Sequence, residues 1–584
     1  MNRRDRLAVS ALVVLLAVVG AAMLVPGAAP TVAPTTTVAP TTTVAPDVTY
    51  REAVVGHPSS INPLTARTQA DRDLVALVFR GLVRAAPDGA LVPDLASSWT
   101  VSSDGRTYTF YIRSDARWED GQPVTAADVA FTVGLAQDPD YEGPLGATWQ
   151  GIKTAALTTN IVRFTLSTPL GGFLRQAALP ILPDHVLNGV AVSDLADSDF
   201  SAQPMGDGPF RIGEIDGSHA LLSRVSSATP EQSPEASGSG SATASDGSEA
   251  DASSAAATAS GGAAVPGDVE ALEMIFFDDQ ASAVASFKAG SVDALGGLAP
   301  DAADAATSGA GTRVVRYPWA SLTAVALNQR ASHPEFQSAG VRQALLSAID
   351  RPTILTSVLR CRGSIADAPL PSWSAAYDKA AINVTPFSNS TAQTGLTAAG
   401  WVHDATGWTL PHGTSPYTIR LLTLDEVSNP IAYRVAQQVA TDWRALGLNV
   451  TLQPVAAATY TQRLEGADFD AAVVDYRLGL DPDVSSLFLS TQVSPAGSNL
   501  TGVQDQGLDR LLANVRTTTD PTDRQTAVSA LEKYVTTNVL MLPICFADYE
   551  FVVSDRVQGL SPNEIADPSD RFWDVLDWRL ASDG

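Results

Sequence analysis

Residues that commonly do chemistry are scarce in this chain. Only two cysteines, Cys361 and Cys545, and six histidines occur among 584 residues. There is no Cys-x-x-Cys pair and the histidines are scattered, which excludes a dithiol redox motif and a clustered metal site. A Gly-x-Ser-x-Gly elbow, a His-Glu-x-x-His helix and a phosphate-binding loop are all missing, so no catalytic residue and no cofactor are assigned. Positive charge is also short: 37 Lys and Arg stand against 63 Asp and Glu, a formal charge of -26. Such a surface repels a phosphate backbone and no basic patch offsets it, so nucleic acid is not expected as a partner. The close acidic pairs Asp138 and Asp140, Asp278 and Asp279, Asp481 and Asp483 read as solvated turns. Nearness in sequence does not set the separation that an acid–base pair needs across a substrate.

What is present describes an exported globular protein. Hydrophobic residues make up 45% and charged residues 17%, and the length exceeds that of a single domain. The start, MNRRDRL, precedes an apolar run from Leu7 to Val25. Basic residues before an apolar stretch keep the start in the cytoplasm and send the rest outward. The run is nineteen residues, nearer a membrane span than a signal core of roughly 7–15. Gly27-Ala28-Ala29 offers small residues for cleavage, but Pro30 hinders a cut after Ala29. Residues 1–29 therefore read as a membrane anchor, with a cleaved signal as the alternative. The hexamer VAPTTT repeats between Thr31 and Pro46, and regular proline among β-branched residues favours extended chain, so residues 30–46 read as a stalk. Folded sequence starts near Val48. From Val225 to Gly267 the chain is Ser, Ala, Gly, Thr and acids without aromatic or basic residues, too poor in apolar surface to offset ordering, and a mobile insertion is expected. Outside the cytoplasm, Cys361 and Cys545 either form one disulfide or remain two buried thiols.

The most structured signal lies between Val78 and Val133. Asp104-Gly105 suits a tight hairpin turn. Tyr108, Phe110 and Ile112 alternate with Thr107, Thr109 and Tyr111, as in a strand with one buried face. Thr125 with Asp128 three residues later suits a helix start. Further on, the spacing predicts strands at Ala220–Arg224, Leu272–Phe277, Leu322–Asn328, Tyr417–Leu422 and Val450–Gln453. Helices are expected at Gln280–Ala289, Val341–Leu359 and Ile431–Leu446. Strand–helix alternation of this kind calls for an α/β sheet covered on both faces.

The order Gly81-Leu82-Val83, Pro93 to Trp99, Asp104-Gly105, Trp118-Glu119-Asp120-Gly121 and Thr125 to Val129 resembles the signature segment of the family 5 solute-binding proteins. That group binds peptides, nickel and opines for ATP-driven importers. VRQALLSAIDRPTI after Gly340, the turn Pro204 to Phe210, Ser291 to Ala294, and Thr394 to Trp401 resemble further family segments in the same order. The resemblance implies a two-lobed periplasmic-binding-protein fold, type II, in its large variant with an extra subdomain and a ligand cleft between the lobes. The implied first lobe comprises residues 47–67, 195–315 with the insertion 225–267, and 545–584. Its subdomain would be residues 68–194, and the second lobe residues 316–544. The implied partners are a peptide or other small polar solute and the permease subunits of an importer, for a chain that is itself a monomer. The alternative is a relative that has lost transport and acts as a sensor or scaffold at the cell surface.

The segment Ala472 to Phe488 resembles a cleft-lining family loop, and carries Asp475, Tyr476, Arg477 and Asp481-Pro482. Peptide-binding relatives place an aspartate for the ligand amine three residues before the acidic-Pro pair, a position that here is Leu478. An apolar residue cannot neutralise an ammonium, and Asp475 is the nearby substitute. Arg67, where some relatives carry an acid, and Arg477 suggest an anionic group on the solute; the opposing reading has both arginines outward or paired with acids. Trp149, Trp319, Trp373 and Trp401 lie near segments that line the cleft in relatives, and each is either a cleft wall or core.

Overall fold

The computed structural model describes residues 49–86, 89–143, 145–225 and 267–581. The apolar segment, the stalk and the insertion between its end residues lie outside them. No helix among the described residues is long and apolar enough to cross a membrane.

One mixed sheet runs through the whole body, in the order Asn449–Val455, Thr418–Leu424, Ala471–Arg477, Thr312–Leu327, Leu542–Ser554, Ala294–Gly296, Thr49–Val55, Ala271–Phe277, His219–Arg224 and Phe210–Ile215. The two long central strands belong to both lobes. Thr312 to Pro318 pairs with Asp548 to Ser554 beside the first-lobe strands, whereas Ser321 to Leu327 pairs with Ala471 to Arg477 in the second lobe. Between these halves the register slips from Pro318 to Leu322. Proline cannot donate to a ladder, and a bulge accommodates it while turning the strand. The expectation of a strand at Leu322–Asn328 captured only the second half, because Pro318 reads as a breaker. The helix expected from Val341 to Leu359 also needs correction. It ends as Ala339–Ser347, and Asp350 then caps a new turn by accepting from the Thr353 N–H, with Pro352 supplying no donor.

A four-stranded antiparallel sheet of Ala96–Val101, Thr107–Ile112, Ile161–Leu166 and Ile152–Thr158 forms the subdomain's base. Its turn places Gly105 at φ +65°, where a side chain would be strained. The helix Ala126–Gln137 starts with a capping box between Thr125 and Asp128. Phe110, Trp149 and Phe164 of this subdomain share one continuous core with Tyr50, Phe551 and Trp578 of the first lobe, so the two move together. The second lobe has separate cores on its two sheet faces, one around Val325, Trp401 and Trp443 and one around Ala324, Val474 and Leu531.

The structure corrects or decides three sequence expectations here. Cys361 and Cys545 are free thiols, the first exposed and the second buried in the central strand, where burial pushes its pKa to about 12. Val225 and Gly267 are not part of a loose loop: the Val225 N–H donates to Pro209, and Gly267 pairs with Leu580. Trp149 and Trp401 are core residues, each 2% exposed.

The first lobe is closed by a buried ion pair between distant parts of the chain. Arg571 donates to Glu52 at 2.5 Å and to Asp73 at 2.7 and 2.9 Å, and lies 4.0 Å over the Phe572 ring. All three charged side chains are about 1–2% exposed. Burial opposes the guanidinium's charge, but Asp73 and Glu52 more than offset it and raise the Arg571 pKa. Replacing Arg571 with Met would leave two buried carboxylates uncompensated. Urea unfolding at pH 7 is expected to show a loss of about 3–5 kcal/mol; a loss below about 1 kcal/mol would refute this role.

Candidate functional site

Strand directions locate the site. In the first lobe Thr49–Val55, Ala271–Phe277 and Ala294–Gly296 are mutually parallel and run with Thr312–Leu327 toward the second lobe. In the second lobe Thr418–Leu424, Asn449–Val455 and Ala471–Arg477 are parallel to one another and run against that strand, back toward the first. The carboxyl ends of both parallel sets therefore converge on the junction, which is where open α/β sheets hold ligands.

A cavity of about 500 Å³ occupies this junction, within the range of about 300–1,000 Å³ usual for small-molecule sites. The second lobe lines it with Trp373, Leu480, Pro482 and Val528 together with the polar Ser374, Asp481, Arg524 and Gln525, while Gly89, Ala90 and Arg175 of the subdomain and Glu564 of the returning chain complete it. The lobes touch at the mouth. The Gly171 N–H donates to the Arg516 carbonyl at 2.8 Å. A Cβ added at Gly171 would stand 2.4 Å from the Thr518 oxygen, and one at Gly172 2.9 Å from Asp481 Oδ2. Side chains at these two positions would hold the mouth apart.

The charged groups of the lining differ in how they are partnered. Asp481 accepts two hydrogen bonds from Arg524, at 2.6 and 2.9 Å, and Arg524 Nε donates to the Val515 carbonyl. Arg175 donates through Nη2 to the Gly89 carbonyl at 2.7 Å and has no ion pair among the described residues. Burial lowers the Arg175 pKa, with Asp481 acting in the opposite sense.

A second polar group lies where the long strands cross. Thr323 and Asn429 donate to the two oxygens of Asp475, at 2.6 and 2.8 Å, and Asn429 also caps the helix Pro430–Ala445. Arg477 lies 5.8 Å over the Trp319 ring, and Trp319 Nε1 donates to the Ala566 carbonyl. Asp475 and Arg477 are exposed to solvent, yet burial is the main cause that raises the Asp475 pKa.

Of the residues singled out from sequence, Trp373 and Asp481 line the cavity, and Asp475, Arg477 and Trp319 gather at the crossing. Tyr476 and Leu478 are buried in the second-lobe core. Arg67 is not in the cavity lining; its N–H donates to Asp71 and its carbonyl accepts from Arg72. Arg175 and Arg524 escaped the sequence reading because each sits on an unremarkable polar stretch, and their juxtaposition spans some 350 residues. The acidic pairs are turns and caps: Asp138, Asp279 and Asp483 each accept a nearby backbone N–H.

Glu532 supports the cavity wall from behind. Its Oε2 accepts from the Asp378 N–H at 3.0 Å, just after the Trp373–Ala376 segment, while Oε1 is buried without a partner. Burial raises its pKa to about 7, above the usual value near 4.3. The folded state thus favours the protonated acid: its stabilising effect is complete below about pH 4 and is lost as pH rises through about 7. Glu532→Gln is expected to raise the thermal midpoint at pH 8 and change it little at pH 5; equal shifts at both pH values would contradict this.

Residues 90–499 match the family described as bacterial extracellular solute-binding proteins, family 5 Middle. The oligopeptide-binding protein AppA of Bacillus subtilis is 24% identical over 474 residues, covering 80% of each chain. Its structure with a nonapeptide superposes with a TM-score of 0.70 at 20% identity, over 91% of this chain and 99% of that one. NikZ of Campylobacter jejuni, solved with Ni(L-His), superposes with a TM-score of 0.72 at 21% identity, over 92% of this chain and all of the other.

Proposed function

This chain belongs to the bacterial extracellular solute-binding proteins, family 5, and from that premise we propose that its solute is a short peptide. It acts as an extracytoplasmic solute receptor of an ATP-driven importer. The observation that carries the finer reading is the junction cavity of about 500 Å³, whose lining combines apolar residues such as Trp373, Leu480 and Val528 with charged ones, Arg175, Asp481, Arg524 and Glu564. A peptide has both characters, an apolar side-chain surface and a backbone with charged ends. The peptide ligands named for AppA and for the di/tripeptide-binding protein 1 of Pseudomonas aeruginosa support the same class. Leu478 is buried and cannot meet a ligand ammonium, which leaves Asp475 as the carboxylate within reach of solvent at the crossing. Residues 1–29 with the stalk 30–46 would tether this body near the permease.

Native mass spectrometry of residues 47–584, purified without denaturation, tests the reading. The expected result is a peptide adduct that leaves intact on unfolding. A bare mass, together with no thermal shift across a peptide library, would overturn the peptide reading; a cleaved adduct would indicate an enzyme instead. Trp373→Ala is expected to lower adduct retention with little change in stability. Trp401→Ala serves as the core counterpart, with an expected cost of about 3–5 kcal/mol and no selective loss of adduct.

A further inference from the structure

We infer that a clamp of ion pairs beside the strand crossing, Arg362 with Asp304 and Glu550 and Arg434 with Asp301, biases the two lobes toward the closed arrangement. This rests on the two-lobed receptor reading above and adds a device that acts before any solute arrives. On the first-lobe side stands the helix Pro300–Ala306, whose Ala303 and Ala306 pack with Ala53, Phe287 and Val552. On the second-lobe side stand Arg360 to Arg362, directly after the core residue Leu359, and the start of the helix Pro430–Ala445.

Every side-chain hydrogen bond that Arg362 makes among the described residues leaves its own lobe. Nη1 donates to the Pro300 carbonyl at 2.9 Å and to Glu550 Oε2 at 3.0 Å, and Nη2 donates to Asp304 Oδ1. Arg360 holds the other oxygen of Asp304 at 2.9 Å. Arg434 reaches Asp301 at 3.1 Å, and Glu426 of its own lobe at 3.7 Å. The pairs of Arg360 and Arg434 are exposed and individually weak, but they act on the same short helix as the buried one.

The clamp sits where the long strands are irregular. The Arg362 carbonyl accepts from the Asp548 N–H at 3.5 Å, and Asp548 pairs with Pro318 at the register slip. Arg360 and Cys361 hold φ values of +50° and +62°, left-handed backbone that persists in non-glycine residues only where the surroundings impose it. Gly363 presses this loop onto the strand, since a Cβ there would stand 2.2 Å from the Phe546 carbonyl. Glu550 is 2% exposed, and its Oε1 has no partner. Withdrawing Arg362 as the lobes part would strip Glu550 of its cation while leaving it buried, a costly state. The closed arrangement keeps the charge paired. Burial raises the Glu550 pKa to about 7, with Arg362 and Arg316 acting against it and Asp548 and Asp304 with it. The clamp is therefore measured at pH 8, above that value.

The test follows hydrogen exchange by mass spectrometry in the full-length protein in detergent, with no solute added. The segment carrying the Gly171 N–H, bonded across the mouth to Arg516, reports opening, and the strand Thr107–Ile112 reports the fold. Arg362→Gln is expected to speed exchange at Gly171 about tenfold, equal to about 1.4 kcal/mol, and to leave the strand unchanged. Asp301→Asn and Arg434→Gln are each expected to speed it less, and together no more than the larger single effect. Unchanged exchange at Gly171 in all three variants overturns the inference. A rise shared by Thr107–Ile112 also overturns it, because the pairs then serve the fold and not closure. Should Arg362→Gln fail to fold, the exposed pair of Asp301 and Arg434 decides alone. No solute enters the measurement, so a negative result leaves the peptide reading standing.

Discussion

The first lobe depends on one buried charge. Arg571 lies within the last residues of the described chain, and its two partners, Glu52 and Asp73, lie near the start of it. A buried ion pair is weak evidence of net stability, because desolvation offsets much of the attraction, but breaking it from one side is severe. Its consequence is therefore positional: the lobe is complete only when the returning chain is seated. That same segment carries the cleft floor. Ile565 pairs with the bulge at Pro318 and Ala320, Ala566 receives the Trp319 indole, and Asp567 binds Arg72 and Gln69. Seating Arg571 thus fixes Trp319, over which Arg477 stacks, and brings Glu564 to the cavity.

The long strands impose the second constraint. Two continuous strands join the lobes, so any opening must be absorbed where their ladder is irregular, at Pro318 to Leu322 and at Thr323 to Ala324. A bulge is a local loss of pairing and a place of stronger twist. The subdomain cannot hinge independently in the same way, because its aromatic core is continuous with that of the first lobe. Motion is then confined to the approach of one composite lobe to the other, and at the mouth the backbone of Gly171 and Gly172 meets Arg516, Thr518 and the side chains of Asp481 and Arg524.

How much of this was legible in sequence follows from the range of the interactions concerned. The turn at Asp104-Gly105 and the box of Thr125 with Asp128 are made by residues within four positions of each other, and both formed where expected. Pro318 and Pro352 misled in opposite directions. The first was accommodated by a bulge inside a strand, and the second ended a helix whose apolar pattern ran on past it. The tryptophans show the limit: Trp373 sits in a loop that lines the cavity, whereas Trp401, just after the helix Asn389–Ala398, is in the core, and which side each meets depends on residues distant in sequence. The family segments located the fold, but the charges that line the cavity, Arg175 and Arg524, stand outside those segments, so neither propensity nor motif marks them.

Closure energetics join these points. At the mouth the Gly171 N–H donates to the Arg516 carbonyl, a backbone hydrogen bond that contributes only about 0.5–1.5 kcal/mol, while Arg360 and Arg362 with Asp304 and Arg434 with Asp301 add ion pairs between the lobes. The pairing of Asp481 with Arg524 lies within the second lobe. Shifting a lobe equilibrium from 1:99 to 99:1 takes about 5.5 kcal/mol of differential affinity, more than the mouth contacts supply. A ligand shifts such an equilibrium only by its differential affinity for the closed form, and the cavity offers groups from both sides for this, Trp373, Asp481 and Arg524 from the second lobe and Arg175 from the subdomain.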